Sequence, residues 1–144
     1  YALNSMRIEK GYLAWKGDLS SDYTLFEAGL GRFVKLDKPQ DFPGKAALAG
    51  APQPPAKRLV SLTVETGEQD APYMASVLAD GKLAGVVLSS AYGHRVGAAI
   101  ALAMLDAAVP AGALVEVVVY GQRLRATVNR SPCLWDADNA RVRA

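Results

Sequence analysis

The chain has 144 residues, 51% of them hydrophobic and 21% charged, with a formal net charge of +2. That composition fits one globular domain, or one domain with a piece of another, and the scattered basic residues give no nucleic-acid footprint. Cys133 stands alone, which excludes an internal disulfide framework, and Cys133 with the single His94 is too small a set for a Cys/His metal site.

The sequence opens at Tyr1 without an initiator methionine and runs at once into a helical pattern, so the expectation is the C-terminal part of something longer. Residues 2–10 read as a helix, with Leu3 and Met6 on one face and Arg7, Glu9 and Lys10 solvating the others, stopped by Gly11. An aromatic-rich stretch interrupted by glycines follows. Within it RFVKL (32–36) alternates apolar and basic residues, as a strand with one wet face does. DFPGKAALAG (41–50) places Pro43 near a helix start and Gly50 past its end, so a short helix is expected there.

APQPPAK (51–57) carries three prolines and is the candidate boundary. Beyond it the texture changes. RLVSLTVE (58–65) alternates strand-wise, and ASVLADGKLAGVVLSS (75–90) is two strand-like runs joined at Asp80-Gly81. AAIALAML (98–105) fits a strand or a short helix, and its neighbours favour the strand. ALVEVVVYGQRLRATV (113–128) repeats the hairpin theme around Tyr120-Gly121. The expected class is α+β and mostly β, ending in a small antiparallel barrel or sandwich. No apolar run reaches the roughly 20 residues of a membrane helix, so no membrane partner is expected. A cytoplasmic location follows, or the mitochondrial matrix in a eukaryote.

Few residues invite chemistry, and none is assigned as catalytic. His94, in SSAYGHRVG (89–97), has no partnered serine or cysteine in a recognisable setting and sits between strand-like runs, so a loop or interdomain contact is expected. Asp18, Asp22 and Glu27 lie close together, but no metal-loop spacing connects them and turn formation accounts for Asp18 and Asp22. GLGR (29–32) precedes an expected strand instead of opening a helix, which excludes a phosphate-binding loop. Tyr12 and Trp15 offer a flat amphipathic surface for a planar heterocycle, although residue types alone favour the core for both.

Three segments in order, NSMRIEKGYLAWKGDL (4–19), EAGLGRFVKLDKPQDFPGKAAL (27–48) and LSSAYGHRVGAAIALAML (88–105), resemble the C-terminal part of glycine-cleavage T-proteins. These are tetrahydrofolate-dependent aminomethyltransferases, and the likeness spans about residues 2–135. FVKLDKP and YGHRVG are closer to one branch, the aminomethyltransferase-like half of flavin-dependent dimethylglycine and sarcosine dehydrogenases. The resemblance implies that residues 1–50 end a folate-binding domain and that 51–57 link it to a β-barrel at 58–136, with 137–144 as a tail. It further implies tetrahydrofolate as cofactor, with FAD held by an upstream flavin domain, and a one-carbon unit from a methylated amine as substrate. Tyr12 matches a folate-contacting tyrosine and Trp15 a second aromatic. Leu3 and Asn4 stand where the family has an Arg-Asp pair, so a cation for the folate tail is missing there. Arg7, Glu9 and Glu27 match recurrent positions read as helix-to-sheet ties.

The carboxylates that would read the pteridine belong to upstream sequence, so the isolated chain is expected to bind folate poorly and to catalyse nothing. Two alternatives remain open at this point. One is a flavin-free T-protein or sulfonium demethylase, and the other is a non-catalytic barrel that serves protein contacts.

Overall fold

The alternation of RLVSLTVE becomes β1 (Lys57–Val64), whose Val60, Leu62 and Val64 point into the molecule. Chain order then gives β2 (Ser76–Ala79), β3 (Lys82–Gly93), β4 (Ala98–Asp106), β5 (Leu114–Val119) and β6 (Gln122–Val128). Every pairing is antiparallel, and the order β1-β4-β3-β2-β5-β6 closes on itself as a six-stranded barrel. The structure is a computed structural model and describes residues 1–66, 69–141 and 143.

Two turns fix the hairpin registers. Asp80 and Gly81 have φ of 49° and 74°, and Tyr120 and Gly121 have 48° and 83°. Two successive positive φ values are the mirror-image turn whose twist matches the strands it joins. Inside, the side chains are mostly Val and Ala: Val77, Val87, Ala101, Ala103, Val117 and Ala126 are all buried. Small and β-branched residues suit so narrow a barrel. Strand β3 slips register between Val87 and Ser89, a bulge that bends the strand.

The half of β3 beyond the bulge, with β4, carries the helix α1 (Ala2–Glu9). Ile8 packs on Ala91, Ile100 and Leu102, forming a second and smaller apolar cluster outside the barrel. Strand β4 is therefore covered on both faces, which is why AAIALAML shows no alternation. The Ser5 hydroxyl donates to the Tyr92 carbonyl at 2.6 Å, and the Asn4 amide donates to the Ser90 carbonyl at 3.3 Å.

Two expectations are corrected here and one is made definite. The faces of α1 are inverted: Ser5, Ile8, Glu9 and the following Lys10 are buried, whereas Leu3 and Met6 are exposed. The inversion has a physical cause, because each buried charge meets a fixed partner while the apolar pair meets none. RFVKL is not a strand. Gly31–Phe33 form a single 3₁₀ turn, since a closed barrel has no free edge for another strand to join. The choice between barrel and sandwich resolves as a closed barrel. The short helix at 41–50 is present as α2 (Lys45–Ala49). None of the described helices is long and apolar enough to cross a membrane.

Candidate functional site

The helix α1 hands the chain to a tight loop at Gly11–Leu19. The Tyr12 amide donates to the Arg7 carbonyl at 2.8 Å, and Lys16 and Leu19 close the far end through a 2.7 Å backbone bond. Asp18 holds this loop to the rest of the molecule. Its carboxylate is buried and accepts from the Arg7 guanidinium at 2.6 Å, the Ala14 amide at 2.8 Å and the Ser89 hydroxyl on β3 at 2.5 Å. The same guanidinium donates to the Tyr12 carbonyl at 3.1 Å. Helix, loop and sheet thus meet on one carboxylate. Asp18 does shape a turn, its amide donating to the Ala14 carbonyl at 2.9 Å, and beyond that its buried carboxylate is a tie, held by one charged and two neutral donors.

Glu9 makes the second junction. Its Oε1 accepts from the Arg95 amide at 2.5 Å and the Val96 amide at 3.1 Å, and the Arg95 guanidinium lies 3.5 Å from Oε2. The Glu9 carbonyl accepts from the amides of Leu134 and Trp135, so the C-terminal segment crosses the end of α1. The Trp135 ring is in reach of two cations, with Arg95 Cζ 4.5 Å and Lys10 Nζ 5.4 Å from its centroid. Lys10 also donates to the Asp136 carbonyl and pairs with its carboxylate. Of the three residues read as ties, Glu9 links helix to sheet turn directly, and Arg7 does so through Asp18. Glu27 ties to the sheet through its backbone, its carbonyl accepting from the Leu59 amide on β1 at 2.8 Å, while its carboxylate stays local and accepts from the Thr24 amide and hydroxyl at 2.8 and 3.0 Å.

Held this way, the loop presents both sequence-predicted aromatics to solvent. Tyr12 is 60% exposed and Trp15 72%, so neither is core. Tyr12 borders a cleft of about 560 Å³ whose floor includes Leu13, Leu19, Leu30, Leu59 and Pro132. Trp15 is not among its walls. Arg32 closes one side, its guanidinium carbon 4.7 Å from the Phe33 ring centroid. Sequence reasoning missed Arg32 because its segment was assigned to a strand.

His94 is exposed at the β3–β4 turn, edge-to-face with Tyr92 at 5.2 Å, and borders a separate cleft of about 500 Å³ beside α1. Among the described residues no group of three or more His, Cys, Asp or Glu could hold a metal ion.

The donor set fits part of a folate. An apolar floor, a tyrosine ring and a cation suit its benzoylglutamate end. The buried carboxylates of Asp18 and Glu9 already accept from several donors each, so neither is free to pair with a pteridine edge. The glycines of GLGR lead into one 3₁₀ turn and not into a helix, so this motif does not form a phosphate-binding loop.

Comparison with known proteins agrees with this architecture. Residues 57–136 match the glycine cleavage T-protein C-terminal barrel domain, and residues 1–38 match the GCVT N-terminal domain. Mitochondrial dimethylglycine dehydrogenase of Mus musculus is 38% identical over 134 residues, which is 92% of this chain and 15% of that protein. An aminomethyltransferase of Saccharopolyspora erythraea is 42% identical over 106 residues, 72% of this chain and 28% of that protein. The crystal structure of the glycine cleavage system aminomethyltransferase T from Bartonella henselae superposes with a TM-score of 0.80 at 26% identity, over 92% of this chain and 38% of that one. The chain thus spans well under half the length of these relatives. It belongs to the glycine cleavage T-protein family and carries that family's C-terminal barrel domain.

Proposed function

We propose that the chain is the C-terminal segment of a tetrahydrofolate-dependent one-carbon transfer module, in a flavin-dependent dehydrogenase of N-methylated amines. The observation that carries this reading is the 38% identity to dimethylglycine dehydrogenase across 92% of the chain, which takes in the loop bearing Tyr12. In this reading residues 1–50 complete a folate-binding domain, 51–57 connect it to the barrel at 58–136, and 137–144 form a tail. Folate, when bound, supplies the nitrogen that accepts the one-carbon unit. Tyr12 lies against its ring system and Trp15 borders the approach, while the ties through Asp18 and Glu9 keep both on a rigid base. Rigid placement matters because holding two reactants in register accounts for much of the rate in such a transfer. The pteridine and the flavin are held by upstream domains of the same polypeptide.

The test is the native polypeptide that contains this segment, purified and weighed. A mass several times 15.2 kDa with bound flavin is expected. Oxidation of an N-methyl amine by it should give methylenetetrahydrofolate instead of free formaldehyde once tetrahydrofolate is added. A native mass near that of the segment sinks the reading. A second reading, a flavin-free aminomethyltransferase, is favoured by the 42% identity to the bacterial enzyme. A flavin-free polypeptide of that enzyme's length would select it.

A further inference from the structure

Beyond β6 the chain turns back instead of trailing away. The Ser61 hydroxyl donates to the Ser131 carbonyl at 3.0 Å, which pins the turn to the barrel. Residues 132–136 then cross the three positions, Glu9, Lys10 and Gly11, where α1 gives way to the Tyr12 loop. The Glu9 carbonyl accepts from the Leu134 and Trp135 amides at 2.9 and 3.1 Å. Lys10 Nζ lies 3.2 Å from the Asp136 carboxylate, with the two side chains only 8% and 2% exposed. Gly11, at φ 68°, seats Pro132 so closely that an added Cβ would stand 2.8 Å from the Pro132 carbonyl. Pro132 is also a wall of the Tyr12 cleft, and Leu13 and Leu134 pack on the same Ile8 cluster. One strap thus fastens the end of the helix and completes the cleft.

The fastening is strong at one point and thin elsewhere. Lys10 and Asp136 are withdrawn from water together, and removing either leaves the other buried without its counter-charge. Yet none of residues 131–136 enters the barrel core, and Leu134 alone among them packs on an apolar cluster. A segment with so few apolar contacts opens at a free energy well below that of global unfolding. We infer that residues 132–136 are a latch on the Tyr12 cleft, with the Lys10–Asp136 pair as its catch. Fastened, the strap holds Pro132 on Gly11 and fixes the start of the loop. Released, it swings from Ser131, the cleft loses that wall, and Gly11 and Tyr12 loosen while the barrel and the Asp18 tie stay in place. The latch concerns the shape of the cleft and holds whatever ligand occupies it.

The test is hydrogen exchange on this chain, nitrogen-15-labelled and read amide by amide. Asp136→Asn removes the charge of the catch but keeps its shape, and asparagine suits the φ of 49° at that position. The Leu134 and Trp135 amides should exchange about ten-fold faster, and those of Gly11 and Tyr12, which donate to Ile8 and Arg7, should quicken with them. The Asp18 and Leu19 amides and those of the barrel strands should keep the parent rates, which also reports that the fold is intact. Lys10→Met breaks the catch from the other side and should give the same pattern. The double variant should be no faster than the faster single one. If the strap quickens while Gly11 and Tyr12 do not, the strap does not govern the loop and the inference falls. It falls equally if the barrel quickens with the strap, if the strap keeps the parent rates in both variants, or if the two effects add in the double variant.

Discussion

The barrel and the fifty residues before it are held by different forces. Of the described residues whose buried side chains are apolar, only Ile8 and Ala28 come from the first fifty, and the rest belong to the barrel half. Buried polar residues run the other way: Ser5, Glu9, Lys10 and Asp18 come from the first fifty, against Ser61 alone in the barrel half. A closed apolar core is cooperative and tolerates no local opening. A segment docked by directional hydrogen bonds is instead positioned accurately and released locally, bond by bond. Accurate placement with little core of its own is what a ligand-bearing loop requires.

The comparison breaks first at the barrel. Gly85 on β3 sits opposite Leu105 on β4, and an added Cβ would overlap the Met104 carbonyl and stand 2.9 Å from the Leu105 Cα. Backbone cannot yield as a side-chain tip can. Gly85→Ala is therefore expected to cost about 3 kcal/mol or more of global stability. Urea denaturation followed by far-ultraviolet circular dichroism checks this. A midpoint within error of the parent would show that the two strands part more easily than a closed barrel allows.

Removing Asp18 should do the opposite, a large local effect with little global one. Asp18→Ala strands three donors, those of Arg7, Ala14 and Ser89. The opening free energy of residues 12–19 should fall by about 2–3 kcal/mol, read from hydrogen exchange, with the barrel amides unchanged. If barrel and loop lose protection together, the two regions form one cooperative unit and the contrast drawn above is wrong.

What the sequence disclosed follows the same division. Both hairpins were legible because Asp80-Gly81 and Tyr120-Gly121 encode their own geometry, and β1 because Val60, Leu62 and Val64 alternate into the barrel core. The inverted faces of α1 were not legible. Glu9 and Lys10 are buried by partners 86 and 126 residues away, and no local pattern announces such a partner. The turn at Asp18 was legible but its tie to the sheet was not, for the same reason, since its Ser89 contact spans 71 residues. Tyr12 could be picked out because the resemblance pointed to it. Arg32 could not, because RFVKL alternates like a strand and only the closure of the barrel forbids one.

A smaller effect is expected at the C-terminal crossing. Trp135→Leu keeps the bulk but removes the ring that faces Arg95 and Lys10. About 1 kcal/mol of local stability should be lost from residues 132–136 and the end of α1. Limited proteolysis should show earlier cutting near residue 135 with the barrel fragment intact. Unchanged cutting would assign the hold to the backbone bonds from Leu134 and Trp135 to Glu9 alone.

The mildest test concerns Tyr23, where the two regions touch through charge. Its phenol is pushed up from the ordinary value by burial first, then by Tyr73, Asp22 and Glu27. A raised value in the folded state means that folding favours the protonated form. The contribution is therefore fully present below the unfolded phenol value of about 10 and is lost as pH rises through the folded value. Tyr73 precedes β2 whereas Asp22 and Glu27 belong to the N-terminal segment, so deprotonation adds repulsion on both sides of the boundary. Exchange at residues 20–27 should thus accelerate above about pH 10 beyond the intrinsic base-catalysed rise. Tyr23→Phe cannot ionise and should remove that excess while leaving neutral-pH protection nearly unchanged. An excess that persists in Tyr23→Phe would place the alkaline weakness elsewhere and leave the polar ties of α1 to account for it.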